Sequence, residues 1–249
     1  WAVCNAHEGK TAAAYSWCVN GVIGNDRACT VAAARLHIES ILMNILCFGD
    51  SNTYGISPVD GKRFAADERW PSLLGIKLGA GYQVIEAGQP NRTLVNDPPF
   101  SGDKLGIKYL EPYLAAYHLD VIVIQLGTND LKRRFALSAA DIANALEALI
   151  LDIKNYYLHR ELPKIMILSP PAVYEVGAYQ SIYAGAAAKS SELVEAFSEV
   201  CVKQQTLFLD ITAIATPCQQ EGVHLILESH KSLAEHLQFL IVKQKSHRL

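Results

Sequence analysis

Three short polar segments carry residue types that together can perform nucleophilic catalysis. Ser51 and Asn129 each follow a continuous apolar run, and His224 comes three residues after Glu221. A serine hydroxyl becomes a nucleophile when a histidine takes its proton, and an acid orients that imidazole. An amide N–H then stabilises the oxyanion that forms. A serine in a turn is more often only a turn or cap residue, so the hypothesis depends on the three segments meeting in the fold.

The elements that must position these residues alternate between apolar strands and helical patterns. Because the apolar runs show no alternation, we expect strands buried on both faces and therefore parallel. The strands are predicted at 45–48, 82–87, 121–125, 164–168 and 206–209. Helices are predicted at 70–78, 104–116, 139–157, 184–203 and 229–242. This order predicts a three-layer α/β/α sandwich around a five-stranded parallel sheet of the flavodoxin-like kind.

The chain resembles the SGNH (GDSL-type) hydrolases, and among them the short-chain arylesterase and carbohydrate-esterase branch. The matching pieces occur in order, at 47–53, 69–71, 127–132, 184–186 and 222–225. The resemblance runs from about Met43 to the end of the chain. It implies a nucleophile at Ser51, an oxyanion-hole amide at Asn129 and a general base at His224.

One departure from the family pattern lies in the segment Gly88-Gln89-Pro90-Asn91-Arg92-Thr93. Asn91 stands where the family usually has a glycine that donates to the oxyanion. Asparagine tolerates a positive φ better than most residues, and its backbone N–H can still donate. We therefore expect the backbone N–H groups of Ser51 and Asn91 to complete the hole, with Gly88 as the alternative if the loop register differs.

The acid is the second departure, because the family has aspartate three residues before the histidine and this chain has Glu221. The longer side chain moves the carboxylate by about 1.5 Å, one carbon–carbon bond. A Ser-His-Glu arrangement remains compatible with the role of the acid, which orients and stabilises the imidazole. Asp210, at the end of the last predicted strand, is the alternative acid.

Several neighbouring residues have both a structural and a functional interpretation. Asp50 is expected to fix the turn by accepting from nearby backbone N–H groups. Tyr54 and Trp70 are candidates for lining the substrate pocket, although packing at a helix start beside Pro71 also fits Trp70. Arg92 and the basic run 132–134 could meet an anionic substrate, and a solvated basic face or a subunit contact is the alternative.

Composition excludes some classes of protein. Half of the 249 residues are hydrophobic and the formal net charge is −3, which argues against a nucleic-acid binder. No apolar run reaches the roughly 20 residues needed to span a bilayer, so we expect no membrane association. The six cysteines show no Cys-x-x-Cys pair and no zinc spacing. We therefore expect a soluble, cytoplasmic protein without a metal or another cofactor.

Residues 1–42 differ from the rest of the chain. They hold three of the six cysteines and show no alternation of strand and helix patterns. We interpret them as an extension, non-native or dispensable, with a helix at 28–42 as the alternative, and residues 43–249 as a single hydrolase domain.

Together these observations favour a serine esterase that hydrolyses short-chain acyl esters of aryl, alkyl or sugar alcohols through an acyl-enzyme. The partner is then a small-molecule ester, and the resemblance favours a homo-oligomer. An acyltransferase or perhydrolase using the same acyl-enzyme is one alternative. A non-catalytic flavodoxin-like binding module is the other, although the first turn lacks a glycine-rich phosphate-binding pattern.

Overall fold

A computed structural model describes residues 42–95 and 106–245 of this chain. The predicted extension at 1–42, with its alternative helix at 28–42, lies outside the described residues except for Leu42. The first two residues of the helix predicted at 104–116 also lie outside them.

Five parallel strands form a single sheet in the order β2-β1-β3-β4-β5. The strands are β1 (Met43–Gly49), β2 (Tyr82–Gly88), β3 (Val121–Gln125), β4 (Lys164–Leu168) and β5 (Leu207–Leu209). The predicted sheet is confirmed, and each predicted strand differs from the observed one by at most two residues at either end.

Helices connect successive strands and cover both faces of the sheet. They are α1 (Ser51–Tyr54), α2 (Trp70–Leu78), α3 (Gly106–Ala116), α4 (Ala139–Tyr156), α5 (Ala186–Gln204) and α6 (Leu227–Lys245). Short 3-10 turns occupy Asn129–Leu131, Arg133–Phe135 and Gly177–Tyr179. None of the helices in the described ranges is long and apolar enough to cross a bilayer.

Two hydrophobic cores lie on opposite faces of the sheet, as the uninterrupted apolar strands require. In β1, Leu46 and Phe48 point into the core beneath α3, α4 and α5, whereas Ile45 and Cys47 point into the core beneath α2 and α6. All four side chains have no exposed surface. The three-layer α/β/α architecture is therefore confirmed.

Local sequence signals account for where the helices begin. Ser138 forms a reciprocal capping box with Asp141 at the start of α4, which satisfies backbone donors that would otherwise lack partners. Pro71 occupies the first turn of α2, where its missing N–H costs nothing.

The strand register brings the predicted functional segments to one edge of the sheet. Gly49 of β1 pairs with Gly88 of β2 on one side and with Gln125 of β3 on the other. The loops that follow these strands therefore start side by side. Strands β2 and β3 lie on opposite sides of β1, so the strand order reverses at this point. Open α/β sheets bind their ligands where such a reversal occurs.

Candidate active site

Ser51 is the first residue of the short helix α1, directly after β1. The Asp50 carboxylate caps this helix by accepting from the Asn52 N–H at 2.9 Å, as predicted for that residue. Gly55 ends the helix in the left-handed region at φ 86°. A turn this tight fixes the Ser51 hydroxyl at the carboxyl edge of the sheet, and the residue as a whole is 6% exposed.

His224 lies in the loop that precedes α6, and Asn52 holds that loop against α1. The Asn52 side chain donates to the Val223 carbonyl at 3.3 Å and accepts from the Leu225 N–H at 2.9 Å. These two bonds flank His224 in the backbone. The residue beside Ser51 thus fixes the histidine loop across a gap of 171 residues in sequence.

The side chains of Ser51, His224 and Glu221 form a hydrogen-bonded chain. The Ser51 Oγ lies 3.0 Å from His224 Nε2, and His224 Nδ1 lies 2.5 Å from Glu221 Oε1. The second carboxylate oxygen, Oε2, accepts from the backbone N–H groups of Val223 at 2.9 Å and His224 at 2.7 Å. Glu221 therefore orients the imidazole through both its ring and its backbone.

Hydrogen bonds determine the charge of Glu221. Partial burial alone would raise the pKa of this carboxyl, but the bonds from the His224 ring, the His224 backbone and the Val223 backbone hold the pKa below its ordinary value. The group is therefore ionised at neutral pH, and an ionised acid beside Nδ1 favours the tautomer that leaves Nε2 free to accept a proton from Ser51.

Asp210, the alternative acid, lies elsewhere. Its Oδ1 accepts from the Ser169 hydroxyl at 3.1 Å and from the backbone and hydroxyl of Thr212 at 2.9 and 2.8 Å. These contacts cap the loop after β5, and the His224 ring pairs with Glu221 instead.

Asn129 begins the 3-10 turn that follows β3, and its side chain lies against the Asn91–Arg92 segment. The Asn129 Nδ2 donates to the Arg92 carbonyl at 3.0 Å, and the hydroxyl of Tyr183 donates to Asn129 Oδ1 at 3.3 Å. Burial raises the pKa of the Tyr183 phenol far above its ordinary value, so it remains a donor. The amide is thereby fixed in orientation, with its Nδ2 turned towards the segment that was predicted to supply the backbone donor.

Asn91 adopts φ 64°, in the left-handed region, as expected from its replacement of the family glycine. Its side chain accepts from the Lys132 ammonium at 2.8 Å. Lys132 keeps only 7% of its surface exposed. This contact could not be predicted from the sequence. It holds the Asn91 side chain in place and so helps to stabilise the positive φ of that residue.

Arg92 is buried, which contradicts its interpretation as part of a solvated basic face. It donates to the carbonyls of Gly49 and Ala87 and to the Gln89 side chain, and its guanidinium stacks on the Phe48 ring at 4.0 Å. Burial lowers its pKa to about 10, so it stays charged at neutral pH. Its role is to tie the Asn91 loop to the end of β1.

Asp130 holds the other end of the same loop. Its carboxylate accepts from the backbone N–H groups of Leu94 and Val95 at 2.8–3.0 Å. Burial raises the pKa of Asp130 to about 7, although these hydrogen bonds act in the opposite direction. Burial likewise raises the pKa of Asp50 to about 6. Two carboxyls of raised pKa thus flank the Ser51 and Asn129 turns.

Gly88 has a packing role in this structure. A Cβ on Gly88 would lie 2.2 Å from the Tyr54 backbone nitrogen, so only glycine lets β2 approach the backbone of α1 this closely. The loop register places Asn91, rather than Gly88, beside the carbonyl that Asn129 contacts.

The two residues predicted to line a substrate pocket have different positions. Trp70 has no exposed surface and packs with Leu74 in the core beneath α2 and α6, so its assignment to the pocket is wrong and the packing interpretation is correct. Tyr54 is half-buried with the Arg63 guanidinium 4.3 Å from its ring centre. Its role in substrate binding stays a prediction.

A cavity of about 540 Å³ adjoins the site. Its wall includes Asn91 and Tyr179, and the Tyr179 ring meets the His224 ring edge to face with 5.7 Å between centres. The other lining residues are Lys132, Arg133, Arg134, Ser181 and Ile182. The tyrosines 179 and 183 could not be assigned from sequence, because they lie in a loop without periodicity; their only signal was proximity to the matching piece at 184–186.

Six residues after His224, a second histidine lies in the core. His230 has no exposed surface, accepts from the Trp70 backbone N–H through Nδ1 at 3.2 Å, and meets the Phe64 ring edge to face. Burial, and secondarily the proximity of His224, lowers its pKa to about 3. Within the ranges that the structure covers, no three His, Cys, Asp or Glu side chains cluster as metal ligands do.

The fold and the site define a hydrolase with the SGNH arrangement of serine, asparagine and histidine. The chain belongs to the GDSL-like lipase/acylhydrolase family, whose sequence model matches residues 47–230. It is accordingly a carboxylic ester hydrolase. The resemblance stated from the sequence motifs is confirmed.

Solved structures agree with this assignment. An inhibitor-bound aryl esterase from M. smegmatis is 31% identical, with a TM-score of 0.76 over 81% of this chain and 99% of that one. A carbohydrate acetylesterase from Sinorhizobium meliloti is 27% identical, with a TM-score of 0.76 and the same coverage of both chains. The search of curated proteins gave no match.

Proposed function

We propose that this protein hydrolyses short-chain acyl esters through a covalent acyl-enzyme on Ser51. The observation that carries the proposal is the continuous hydrogen-bonded chain from the Ser51 hydroxyl through the His224 ring to the Glu221 carboxylate. A serine hydroxyl acts as a nucleophile when an adjacent base takes its proton, and the His224 ring lies 3.0 Å from the Ser51 hydroxyl.

In the first half of the reaction the Ser51 Oγ attacks the carbonyl carbon of the ester while its proton passes to His224 Nε2. The carbonyl oxygen becomes an oxyanion. Collapse of this intermediate breaks the bond to the alcohol, whose oxygen takes the proton from Nε2, and leaves the acyl group on Ser51. Ionised Glu221 stabilises the imidazolium that forms between these steps.

Water completes the cycle by the same route. His224 Nε2 takes a proton from the water molecule as its oxygen attacks the acyl-enzyme, and then returns a proton to Ser51 Oγ as the carboxylic acid leaves. Both halves use His224 as the base, and the oxyanion of each half forms in the same hole.

The oxyanion hole is proposed to consist of the Asn129 side chain and the backbone N–H groups of Ser51 and Asn91. Support comes from the contact of Asn129 Nδ2 with the Arg92 carbonyl and from the positive φ of Asn91. Preorganised neutral donors stabilise developing charge without reorganisation.

Removing one of these donors tests the hole. We expect Asn129→Ala to lower kcat by about 10²- to 10³-fold with little change in KM, because the lost donor serves the transition state more than the bound ester. Asn91→Gly retains the backbone N–H and should stay within about threefold of the parent kcat. Equal losses in the two variants would contradict the assignment of the side-chain donor to Asn129.

The substrate class rests on the relatives. The similar solved structures include proteins described as an aryl esterase and a carbohydrate acetylesterase. We infer from them that this chain takes small acyl groups on aryl, alkyl or sugar alcohols.

The test is release of 4-nitrophenol from acetate, butyrate, octanoate and palmitate esters by the parent chain and by Ser51→Ala. We expect activity that is highest for the shortest acyl groups and that falls at least about 10⁴-fold in the variant, because the residual rate comes from binding and the oxyanion hole alone. A variant that keeps parent activity, or a folded parent with none, would contradict the proposal. Circular dichroism on both proteins establishes that they are folded.

A further inference from the structure

We propose that the cavity beside the site binds an anionic group carried by the ester, such as a carboxylate, sulfate or phosphate. This inference rests on the proposed function, since the cavity opens beside the residues assigned to catalysis. It adds a class of substrate that the aryl and acetyl esters named for the relatives do not specify.

The wall of the cavity is positively charged. Of its seven lining residues, Lys132, Arg133 and Arg134 are cations, and none is an acid. A concave surface with one sign of charge focuses the electrostatic potential and concentrates ligands of the opposite sign. The chain as a whole has a net charge of −3, so this positive charge is a local feature.

Arg133 is the residue best placed to accept a ligand. Its side chain is exposed and forms no ion pair with any residue within 42–95 or 106–245. Its backbone N–H donates to the Ile182 carbonyl at 2.8 Å, which joins the basic segment to the segment that contributes Ser181 and Ile182 to the cavity. The guanidinium therefore projects from an anchored backbone, and its planar donors match the paired oxygens of a carboxylate or sulfate.

Two shared residues make the cavity continuous with the reaction centre. Asn91 lines the cavity and is a proposed oxyanion donor, and its side chain contacts the Lys132 ammonium at 2.8 Å. Tyr179 also lines the cavity, and its ring meets the His224 ring. When the ester carbonyl lies between Ser51 and Asn91, a substituent on the acyl or alcohol group can therefore extend along the protein surface into the cavity.

The volume of the cavity, about 540 Å³, limits the size of the anionic group that it can bind. This is within the range of small-molecule sites and is large enough for a substituted aromatic ring or a short aliphatic chain with an ionised end. The apolar contribution of Tyr179 and Ile182 suits the body of such a group, and the basic side suits its charge.

Matched ester pairs test the inference. The alcohol arm compares 4-acetoxybenzoate with 4-acetoxybenzamide, which has the same shape without the charge. The acyl arm compares the phenyl monoester of glutaric acid with the phenyl ester of glutaramic acid. The readout is the ratio of kcat/KM for the anionic ester to that for its neutral partner, so intrinsic reactivity cancels between protein variants.

We expect Arg133→Gln to lower this ratio about 3- to 10-fold in one of the two arms, and Arg133→Glu to lower it further, since each removes or reverses a charge near the anion. Arg133→Lys keeps the charge and should recover most of the ratio. Arg160→Gln, which removes an exposed arginine stacked on Tyr156, is the matched control and should leave the ratio unchanged. The arm that responds identifies whether the anion belongs to the alcohol or the acyl group.

Salt gives an independent readout. Raising the ionic strength from about 0.05 to 0.5 M should lower the ratio for the parent and have a smaller effect in Arg133→Gln, because screening acts only on the charge that is still present.

The outcomes separate the two proposals. A folded parent that hydrolyses none of the four esters overturns the proposed function. A parent that hydrolyses both members of each pair, with ratios that Arg133→Glu leaves unchanged in both arms, overturns the anionic cavity alone. An equal loss for anionic and neutral esters in Arg133→Gln also overturns it, because the arginine would then support the structure without selecting charge.

Discussion

His224 and His230 are six residues apart and have opposite environments. His224 lies in a loop at the carboxyl edge of the sheet, between the Ser51 hydroxyl and the Glu221 carboxylate. His230 lies inside α6 with no exposed surface, where only Nδ1 has a hydrogen-bond partner and Nε2 has none among the residues the structure describes. The His224 ring therefore has a polar partner at each nitrogen, whereas burial keeps the His230 ring neutral at pH 7 by lowering its pKa to about 3.

An aromatic neighbour does not distinguish the two histidines, because each ring has one. Tyr179 meets His224 at 5.7 Å and 76°, and Phe64 meets His230 at 5.1 Å and 74°. What differs is the ionised acid on Nδ1 of His224 and the backbone N–H on Nδ1 of His230. Burial lowers the pKa of His230 to about 3 and keeps that ring neutral at pH 7, whereas the hydrogen bonds to Ser51 and Glu221 place His224 where a base is needed.

The largest expected difference between the two histidines is in catalysis. We expect His224→Gln to lower kcat for 4-nitrophenyl acetate by at least about 10⁴-fold, because His224 is the base that contacts the Ser51 hydroxyl in the part of the chain that the structure describes. His230→Gln, the matched change in the core, should cost less than about tenfold in a protein that remains folded. The comparison is made from kcat and from the fraction folded at the assay temperature. Similar losses of kcat in two folded variants would show that the histidines act together and that their different environments do not separate their roles.

A smaller effect is expected when the partner of Nδ1 is changed. In Glu221→Gln the amide can present its NH₂ to the ring, so Nδ1 becomes an acceptor and the tautomer needed at Nε2 is lost. We expect kcat for 4-nitrophenyl acetate to fall by about 10²- to 10⁴-fold, less than for loss of His224 itself.

Asp210→Asn is the control for that change, because Asp210 also accepts from a local backbone N–H but does not pair with His224. It should leave kcat within about twofold of the parent. Loss of activity in Asp210→Asn with a normal Glu221→Gln would reverse the assignment of the acid.

Sequence patterns were sufficient to predict the strands and most helix positions, because the signals that define them are local. A run of buried apolar residues such as Val121–Gln125 identifies a strand wherever it sits in the sheet, and both ends of β3 were predicted correctly. The helix predicted from residue 184 begins at Ala186, because Gly185 adopts φ 85° and caps it from the left-handed region. From sequence alone, a glycine near the end of a helical pattern does not show whether it lies inside the helix or caps it.

Side-chain environments were harder to predict because they depend on contacts distant in sequence. Trp70 and His230 meet across 160 residues, and nothing near either one shows that both are buried. Arg92 reads as a surface cation, yet the close ends of β1 and β2 enclose it with backbone carbonyls that accept from its guanidinium. Ser51, Asn129 and His224 could be assigned because family motifs mark them, whereas Tyr179 and Lys132 required the folded loops.

The smallest expected effect concerns the pH dependence of stability rather than catalysis. The pKa of His230 is about 3 in the folded protein against an ordinary value of 6.5, so between those values the unfolded chain binds the additional proton. Acid therefore favours unfolding through this residue, and its contribution to stability is lost as the pH falls below about 6.5. From pH 7 to pH 5 the loss is about 2 kcal/mol.

His230→Phe removes that dependence and should therefore lose less stability than the parent between pH 7 and pH 5, by about 2 kcal/mol in urea unfolding. The variant also loses the acceptor for the Trp70 N–H, which shifts its stability by the same amount at every pH and does not affect the slope. The buried carboxyls Asp50 and Asp130 have raised pKa values of about 6 and 7, so they add stability as the pH falls, but both proteins contain them and their effect cancels in the difference. Parallel stability curves for parent and variant would mean that His230 can be protonated within the folded core, and the contrast with His224 would then rest on catalysis alone.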